Sequence, residues 1–190
     1  MDHRIGGALI VAGSAGFAVL LAVGLAGASI ASADDLVTGV ILLASAGCAG
    51  IGAGLLAIDG SERREGWAVR WGLGLVAASL LGLIAGELWM IVIPIQGDPL
   101  SSPLILVLGG SYLGLLAGQL LVGLALVIRS RSRRIAGGLV LLGLGVVLLG
   151  AVGLLFRVGD LAVAIRLAGL VSLLLGWAVL GSIAIRDASD

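Results

Sequence analysis

Glu87 is the side chain of this protein whose chemistry most needs an explanation. It lies about six residues inside one end of a long apolar stretch, residues 68–93. An ionised carboxylate in hydrocarbon costs about 2–3 kcal/mol or more, so it must be neutralised, paired or hydrated. Tyr112 lies about eight residues, and Arg166 about five residues, from the same side of later apolar stretches. At this depth the three side chains could form one polar site.

Two interpretations of these three residues remain open. In the functional interpretation, Glu87 binds a proton or a cation, Tyr112 is its hydrogen-bond partner and Arg166 is its counter-ion. In the structural interpretation, Glu87 and Arg166 form an ion pair that fixes how the helices pack. We favour the structural interpretation, because a proton or sodium pathway of ordinary design needs a second acid and a chain of polar groups within the apolar stretches.

Motifs for catalysis and metal binding are absent from the sequence. There is no Gly-x-Ser-x-Gly, no His-Glu-x-x-His and no phosphate-binding glycine loop followed by lysine. His3 is the only histidine and Cys48 the only cysteine, so no histidine or cysteine cluster and no intramolecular disulfide can form. We therefore predict no catalytic residue, no metal site, no cofactor and a non-enzymatic protein.

The composition indicates a membrane protein. Sixty per cent of the residues are hydrophobic and 12% are charged, and the mean hydropathy is +1.25. A helix needs roughly 20 apolar residues to cross about 30 Å of hydrocarbon. Six stretches reach this length: 5–30, 36–58, 68–93, 104–128, 135–156 and 161–185. We predict an all-α polytopic membrane protein with six transmembrane helices, forming a single domain over residues 1–190.

The arginines predict the orientation in the membrane. All eleven basic residues are arginine, and most lie before the first stretch, in the second and fourth connections or after the sixth stretch. The positive-inside rule then places both termini in the cytoplasm, with the protein in the inner or plasma membrane. A formal net charge of zero argues against nucleic acid as a partner. We expect the lipid bilayer as the partner, with a homo-oligomer or a membrane-complex subunit as further options.

The six stretches read as three tandem copies of one helical hairpin. Each copy opens with an arginine, a bulky apolar residue, a small residue, a variable one, another small one, a leucine and a β-branched residue. These openings begin at Arg4, Arg70 and Arg134, which lie 66 and 64 residues apart. The predicted repeats cover approximately residues 4–59, 70–129 and 134–186.

An alternative concerns the first stretch. Ala31, Ser32 and Ala33 precede Asp34 and look like a signal-peptidase site, so residues 1–33 could be removed. We favour retention as a transmembrane helix, because the apolar run is long for a signal core and Arg4 matches the openings of the other two copies. Cleavage would leave five spans.

Glycine, which accounts for 33 residues, predicts how the helices pack. Small residues recur at every fourth position in the second, third and fourth stretches, which places them on one helical face. Helices in lipid associate through close contact along such faces. We predict tight packing, within one chain or between chains, at Gly50, Gly54, Gly82, Gly86, Gly110, Gly114 and Gly118.

The layout resembles that of the HdeD-like family of bacterial acid-resistance membrane proteins. The resemblance rests on three tandem hairpins, about 190 residues, cytoplasmic ends, glycine-rich helices and a Pro-x-x-Gly-Asp turn from Pro94 to Asp98. It covers the whole chain, although only one of the three outer connections has this turn. It implies a small inner-membrane protein with a stress-related role and no catalytic residues to carry over.

Two functional hypotheses follow. The first is a structural, stress-related or accessory subunit without enzymatic activity, and the sequence favours it. The second is a small transporter or a substrate-binding membrane component, similar in size and span number to the vitamin-binding subunits of energy-coupling importers, with a polar site at Glu87. An outward-facing cavity with Glu87 on its wall would favour the second, whereas contact of Glu87 with Arg166 and no cavity would exclude it.

Overall fold

The computed structural model describes residues 2–25, 33–58, 66–92, 103–129, 133–155 and 159–187. These residues form six α-helices: α1 (Asp2–Leu25), α2 (Ala33–Ile58), α3 (Trp67–Val92), α4 (Pro103–Arg129), α5 (Arg134–Leu155) and α6 (Gly159–Asp187). Most of the predicted cleavage site, and the turn from Pro94 to Asp98, lie outside the described residues.

Each of the six helices is long and apolar enough to span a membrane. Their bounds agree with the predicted stretches to within three residues, except at the far end of the first stretch, where residues 26–30 are not described. A helix satisfies its own backbone hydrogen bonds, which is what a spanning segment requires. The prediction of an all-α polytopic membrane protein with six transmembrane helices is confirmed.

The six helices form a closed ring. Every helix packs against the helix before it and the helix after it, and α6 returns to pack against α1. Contact is most extensive within the pairs α1–α2, α3–α4 and α5–α6. Because helices on opposite sides of the ring hardly touch, the ring leaves space at its centre.

Within each pair, the two helices approach most closely at matching positions. In each pair, the residue two positions after the arginine (Arg4, Arg70 or Arg134) lies against a glycine of the partner helix. The residue six positions after the same arginine covers that glycine. The three clusters are Gly6, Ile10 and Gly52; Gly72, Val76 and Gly118; and Ala136, Val140 and Gly176. A methyl group on Gly118 would lie only 2.9 Å from the carbonyl oxygen of Gly72, so glycine permits this contact between backbones.

Glycines also join neighbouring pairs. Gly123 of α4 lies against Gly137 of α5, where a methyl group on Gly137 would be 2.8 Å from the carbonyl oxygen of Gly123. Gly7 of α1 lies against Gly181 of α6, and a methyl group on Gly7 would be 2.5 Å from that carbonyl oxygen. The contact between Gly7 and Gly181 closes the ring.

The seven glycines predicted to mediate packing have different surroundings. Six of them face a neighbouring helix: Gly50 and Gly54 face α3, Gly82, Gly86 and Gly118 lie in the α3–α4 contact, and Gly114 faces Ser79. At Gly110, an added Cβ would meet no atom of the described chain within 4 Å. At Gly110, therefore, α4 does not pack closely against any other described part of the chain.

The arginines that open the second and third predicted copies contact the end of the preceding helix. Arg70 donates from Nε to the carbonyl oxygen of Ala57, in the last turn of α2, at 3.0 Å. Arg134 donates in the same way to the carbonyl oxygen of Val127, in the last turn of α4, at 3.0 Å. The last four carbonyls of a helix lack partners within it, and a cation there also interacts favourably with the helix dipole. These arginines therefore join successive hairpins.

We expect Arg70→Gln and Arg134→Gln each to lower the free energy of unfolding by about 0.3–1 kcal/mol, the usual value of a cation at a helix C-terminus. Thermal denaturation of the purified protein in one detergent, followed by tryptophan fluorescence, measures the change. Arg4→Gln is the matched control, because Arg4 forms no such bond with any described residue. An equal loss of stability in the control would contradict the role of the two helix-end contacts.

An ion pair connects the start of α5 with the end of α6. Arg133 precedes α5 and donates from Nη2 to Oδ2 of Asp187, the last residue of α6, at 2.6 Å. Arg133 is only 5% exposed, so its positive charge is largely removed from water. A buried charge depends on its partner far more than a surface charge does.

Candidate functional site

The space at the centre of the ring is a cavity of about 530 Å³. This volume is within the range of about 300–1,000 Å³ that small-molecule sites usually have. All six helices contribute to its wall, for example through Phe17, Leu42, Leu80, Leu116, Leu144 and Leu174. We call this space the central cavity.

The described wall of the central cavity is mostly aliphatic. Four of its side chains carry a polar atom: Ser14, Tyr112, Gln119 and Trp177. No described residue of the wall is charged, and none is a histidine or a cysteine. Elsewhere in the described chain, no group of three or more His, Cys, Asp or Glu residues is placed to hold a metal ion. The wall therefore offers neutral hydrogen bonding in apolar surroundings.

Three of these polar side chains lie at the same depth. Ser14 is ten residues from Arg4, Gln119 is ten residues from Arg129 and Trp177 is nine residues from Arg186. The three arginines mark one end of the ring, since α1 begins there and α4 and α6 end there. At 1.5 Å per residue the polar side chains lie about 15 Å from this end, which is half the thickness of the hydrocarbon.

Helix packing explains why these residues reach the central cavity. Gln119 and Trp177 each follow a glycine that contacts the partner helix, Gly118 and Gly176 respectively. Ser14 lies one turn beyond Ile10, which covers the contact glycine of α2, and residues one turn apart share a helix face. The contacts that hold each pair together therefore also set the direction of these side chains.

Ser14 and Gln119 are buried without a hydrogen bond. They are 6% and 7% exposed, and neither side chain bonds to any residue that the structure describes. By contrast, the hydroxyls of Ser45 and Ser182 donate to carbonyl oxygens one turn earlier, at 2.6 and 2.8 Å, as helical serines often do. Both residues line the central cavity, so their polar groups are available to a partner in it.

The three residues predicted as a polar site form no ion pair or hydrogen bond with one another. Tyr112 is 56% exposed and belongs to the wall of the central cavity, so it lies at its rim. Glu87 is half-buried on α3, and Arg166 is exposed on α6, on the opposite side of the ring. Among the described residues, Glu87 forms neither an ion pair with Arg166 nor a hydrogen bond with Tyr112. Neither Glu87 nor Arg166 belongs to the described wall of the cavity.

Sequence reasoning did not select Ser14, Gln119 and Trp177 as a group. Each is a single neutral residue within an apolar stretch. Moving a neutral side chain from water into hydrocarbon costs far less than moving a charged one, so hydropathy does not single these residues out. An alignment of the hairpins at their contact glycines would have pointed to two of them. Gln119 and Trp177 both directly follow the contact glycine of their helix. Ala53 occupies this position in the first hairpin and is fully buried.

The fold and the site define a class: a multi-pass membrane protein whose six helices form a closed ring around a mostly apolar cavity. No family model matches the chain, and no curated protein or solved structure matches it at a significant level. The resemblance to the HdeD-like family stays a prediction.

Proposed function

We propose that this chain is a non-enzymatic membrane protein that binds a small, mostly apolar molecule in the central cavity. This corresponds to the second hypothesis from the sequence, a small transporter or substrate-binding membrane component, with the site moved from Glu87 to the centre of the ring. The observation that supports the proposal is a cavity of about 530 Å³ with walls from all six helices.

The cavity is what makes a purely structural or accessory role the weaker proposal. Protein interiors are close-packed, and an empty space removes packing contacts and lowers stability. The helices of this ring approach to backbone contact at several glycines, so their packing does not require an open centre. A binding protein needs such a space, whereas a structural subunit gains nothing from it.

The proposal includes an origin of the ring in three copies of one hairpin, covering residues 4–59, 70–129 and 134–186. The support is the matching contacts at Gly52, Gly118 and Gly176, each covered by the residue six positions after an opening arginine. The helix-end hydrogen bonds of Arg70 and Arg134 also match. A ring of three similar hairpins encloses its centre evenly, which suits a binding site on the axis.

The remaining parts of the proposal concern the cell. We propose the inner or plasma membrane as the location, with both termini in the cytoplasm, on the basis of the arginine distribution. A binding component of a transport system acts with other subunits, so the proposed partners are the lipid bilayer and either further copies of this chain or a membrane-complex subunit.

Co-purification tests the binding function. We expect the protein, purified in a mild detergent, to retain a small molecule that organic extraction and mass spectrometry detect at close to one molecule per chain. Leu174→Trp places a larger side chain in the wall of the cavity and should reduce this amount at least fivefold. Leu175→Trp is the matched control, because Leu175 is the next residue and is 52% exposed. Identical extracts from the wild type and both variants would exclude a binding site in the cavity.

A further inference from the structure

We infer that the central cavity takes an uncharged amphiphile, and that Gln119 and Ser14 hold its hydrogen-bonding group at the middle of the membrane. This inference rests on the proposed binding function and specifies the class of ligand. The ligand has an apolar body and one hydroxyl or carbonyl group at its buried end.

Two side chains of the cavity wall, Gln119 and Ser14, indicate that the ligand carries a hydrogen-bonding group. The amide of Gln119 has an acceptor oxygen and two N–H donors, and the hydroxyl of Ser14 both donates and accepts. Both side chains line the cavity, on α4 and α1, at the same depth. A hydroxyl or carbonyl group in the cavity at this depth would offer hydrogen bonds that no described residue supplies, whereas a pure hydrocarbon would offer none.

The composition of the described cavity wall indicates that the ligand is uncharged. A carboxylate, phosphate or ammonium group removed from water needs an opposite charge or many hydrogen bonds. The described wall contains no charged side chain, and Glu87 and Arg166 do not belong to it. A charged head group would therefore be unpaired at the depth of Gln119 and Ser14.

The remaining side chains of the cavity wall indicate that the body of the ligand is apolar. Leucine side chains from several helices surround the cavity, including Leu80, Leu116 and Leu144. Trp177 adds a large apolar surface at the depth of Gln119 together with one N–H donor. Contact between such a wall and a hydrocarbon body is favourable, and the polar side chains fix only one end of the ligand.

Three probes with the same carbon skeleton test the ligand class. The full-length protein in phosphatidylcholine nanodiscs is incubated with farnesol, farnesene or farnesoic acid, and the amount retained after gel filtration is measured against empty discs. We expect the hydroxyl compound farnesol to bind about tenfold more tightly than the hydrocarbon or the acid, the effect of one good hydrogen bond. Equal retention of the three compounds, a preference for the acid, or no retention above empty discs would overturn the inference.

A substitution then tests the role of Gln119. Gln119→Leu should weaken farnesol binding about tenfold, and without farnesol it should not lower the melting temperature, because no described residue bonds to the amide. The control is Ser79→Ala, which removes a hydroxyl that is 4% exposed and outside the described cavity wall, and it should leave farnesol binding unchanged. If Gln119→Leu lowers the melting temperature and leaves farnesol binding unchanged, Gln119 has a structural role and the inference is wrong.

The outcomes separate this inference from the proposed function. If Leu174→Trp removes the co-purified molecule while the three probes bind equally, the cavity is a binding site and the ligand class is wrong. If nothing co-purifies and none of the probes binds, the binding function itself is wrong.

Discussion

Gly143→Ala should lower the free energy of unfolding by about 1–3 kcal/mol, the usual cost of overpacking a close contact. A methyl group on Gly143 would lie 2.5 Å from the backbone nitrogen of Leu173 and 2.7 Å from the carbonyl oxygen of Gly169. Both atoms belong to the backbone of α6, so no side-chain rotation relieves the contact. The two helices must separate, and a contact of this type is what holds helices together in lipid.

Gly145 provides the matched control on the same helix. No atom of the described chain lies within 4 Å of the position that its Cβ would occupy. Because alanine is a better helix former than glycine, Gly145→Ala should leave the stability unchanged or raise it slightly. Thermal denaturation in one detergent compares the two variants, and Gly143→Leu should fail to give a monodisperse protein. Equal melting temperatures for the two alanine variants would show that the α5–α6 backbone contact does not determine stability.

Asp187→Ala should lower the free energy of unfolding by about 1–3 kcal/mol, between the values of surface and buried ion pairs. Its carboxylate lies 2.6 Å from the guanidinium of Arg133, whose side chain is 6% exposed, against 48% for Asp187. Removing the carboxylate leaves the buried positive charge without this partner, and this is the main cost of breaking such a pair.

A neighbouring substitution and a double-mutant cycle test this explanation. Arg186→Ala also removes a charge from the last turn of α6, but it leaves the pair intact, so we expect a change of less than about 0.5 kcal/mol. With Arg133→Leu already present, Asp187→Ala should cost much less than it does alone, because the buried charge that interacts with this carboxylate is gone. Additive effects of the two substitutions in denaturation experiments would contradict a coupled pair.

The sequence was sufficient to predict the helices because the bilayer sets their length. A spanning segment must be apolar, and it must satisfy its backbone hydrogen bonds within itself. Both requirements act on consecutive residues, so hydropathy alone places the helix ends within about three residues of the structure, except at the end of α1. The arrangement of the helices in a ring depends instead on contacts between distant residues, such as Gly7 and Gly181.

The site was less predictable for a related reason. Glu87 stands out in the sequence because a charge in hydrocarbon is costly, whereas Gln119 and Ser14 are neutral and stand out only when their lack of hydrogen bonds is known. Gly118 was identified because it follows Gly110 and Gly114 at four-residue intervals. Its partner Gly72 was not identified, because the residue four positions after Gly72 is Val76 and not a small residue. Which face of each helix turns towards the cavity follows from such pairs, and a single sequence does not show them.

The contact between Gly7 and Gly181 also sets the order of events during biosynthesis. These two residues are 174 positions apart in the chain, so α1 leaves the ribosome long before its partner on α6 exists. At about 5–20 residues per second, the delay is about 9–35 s. Because α6 supplies part of the wall of the central cavity, the cavity is enclosed only after this last helix has been synthesised.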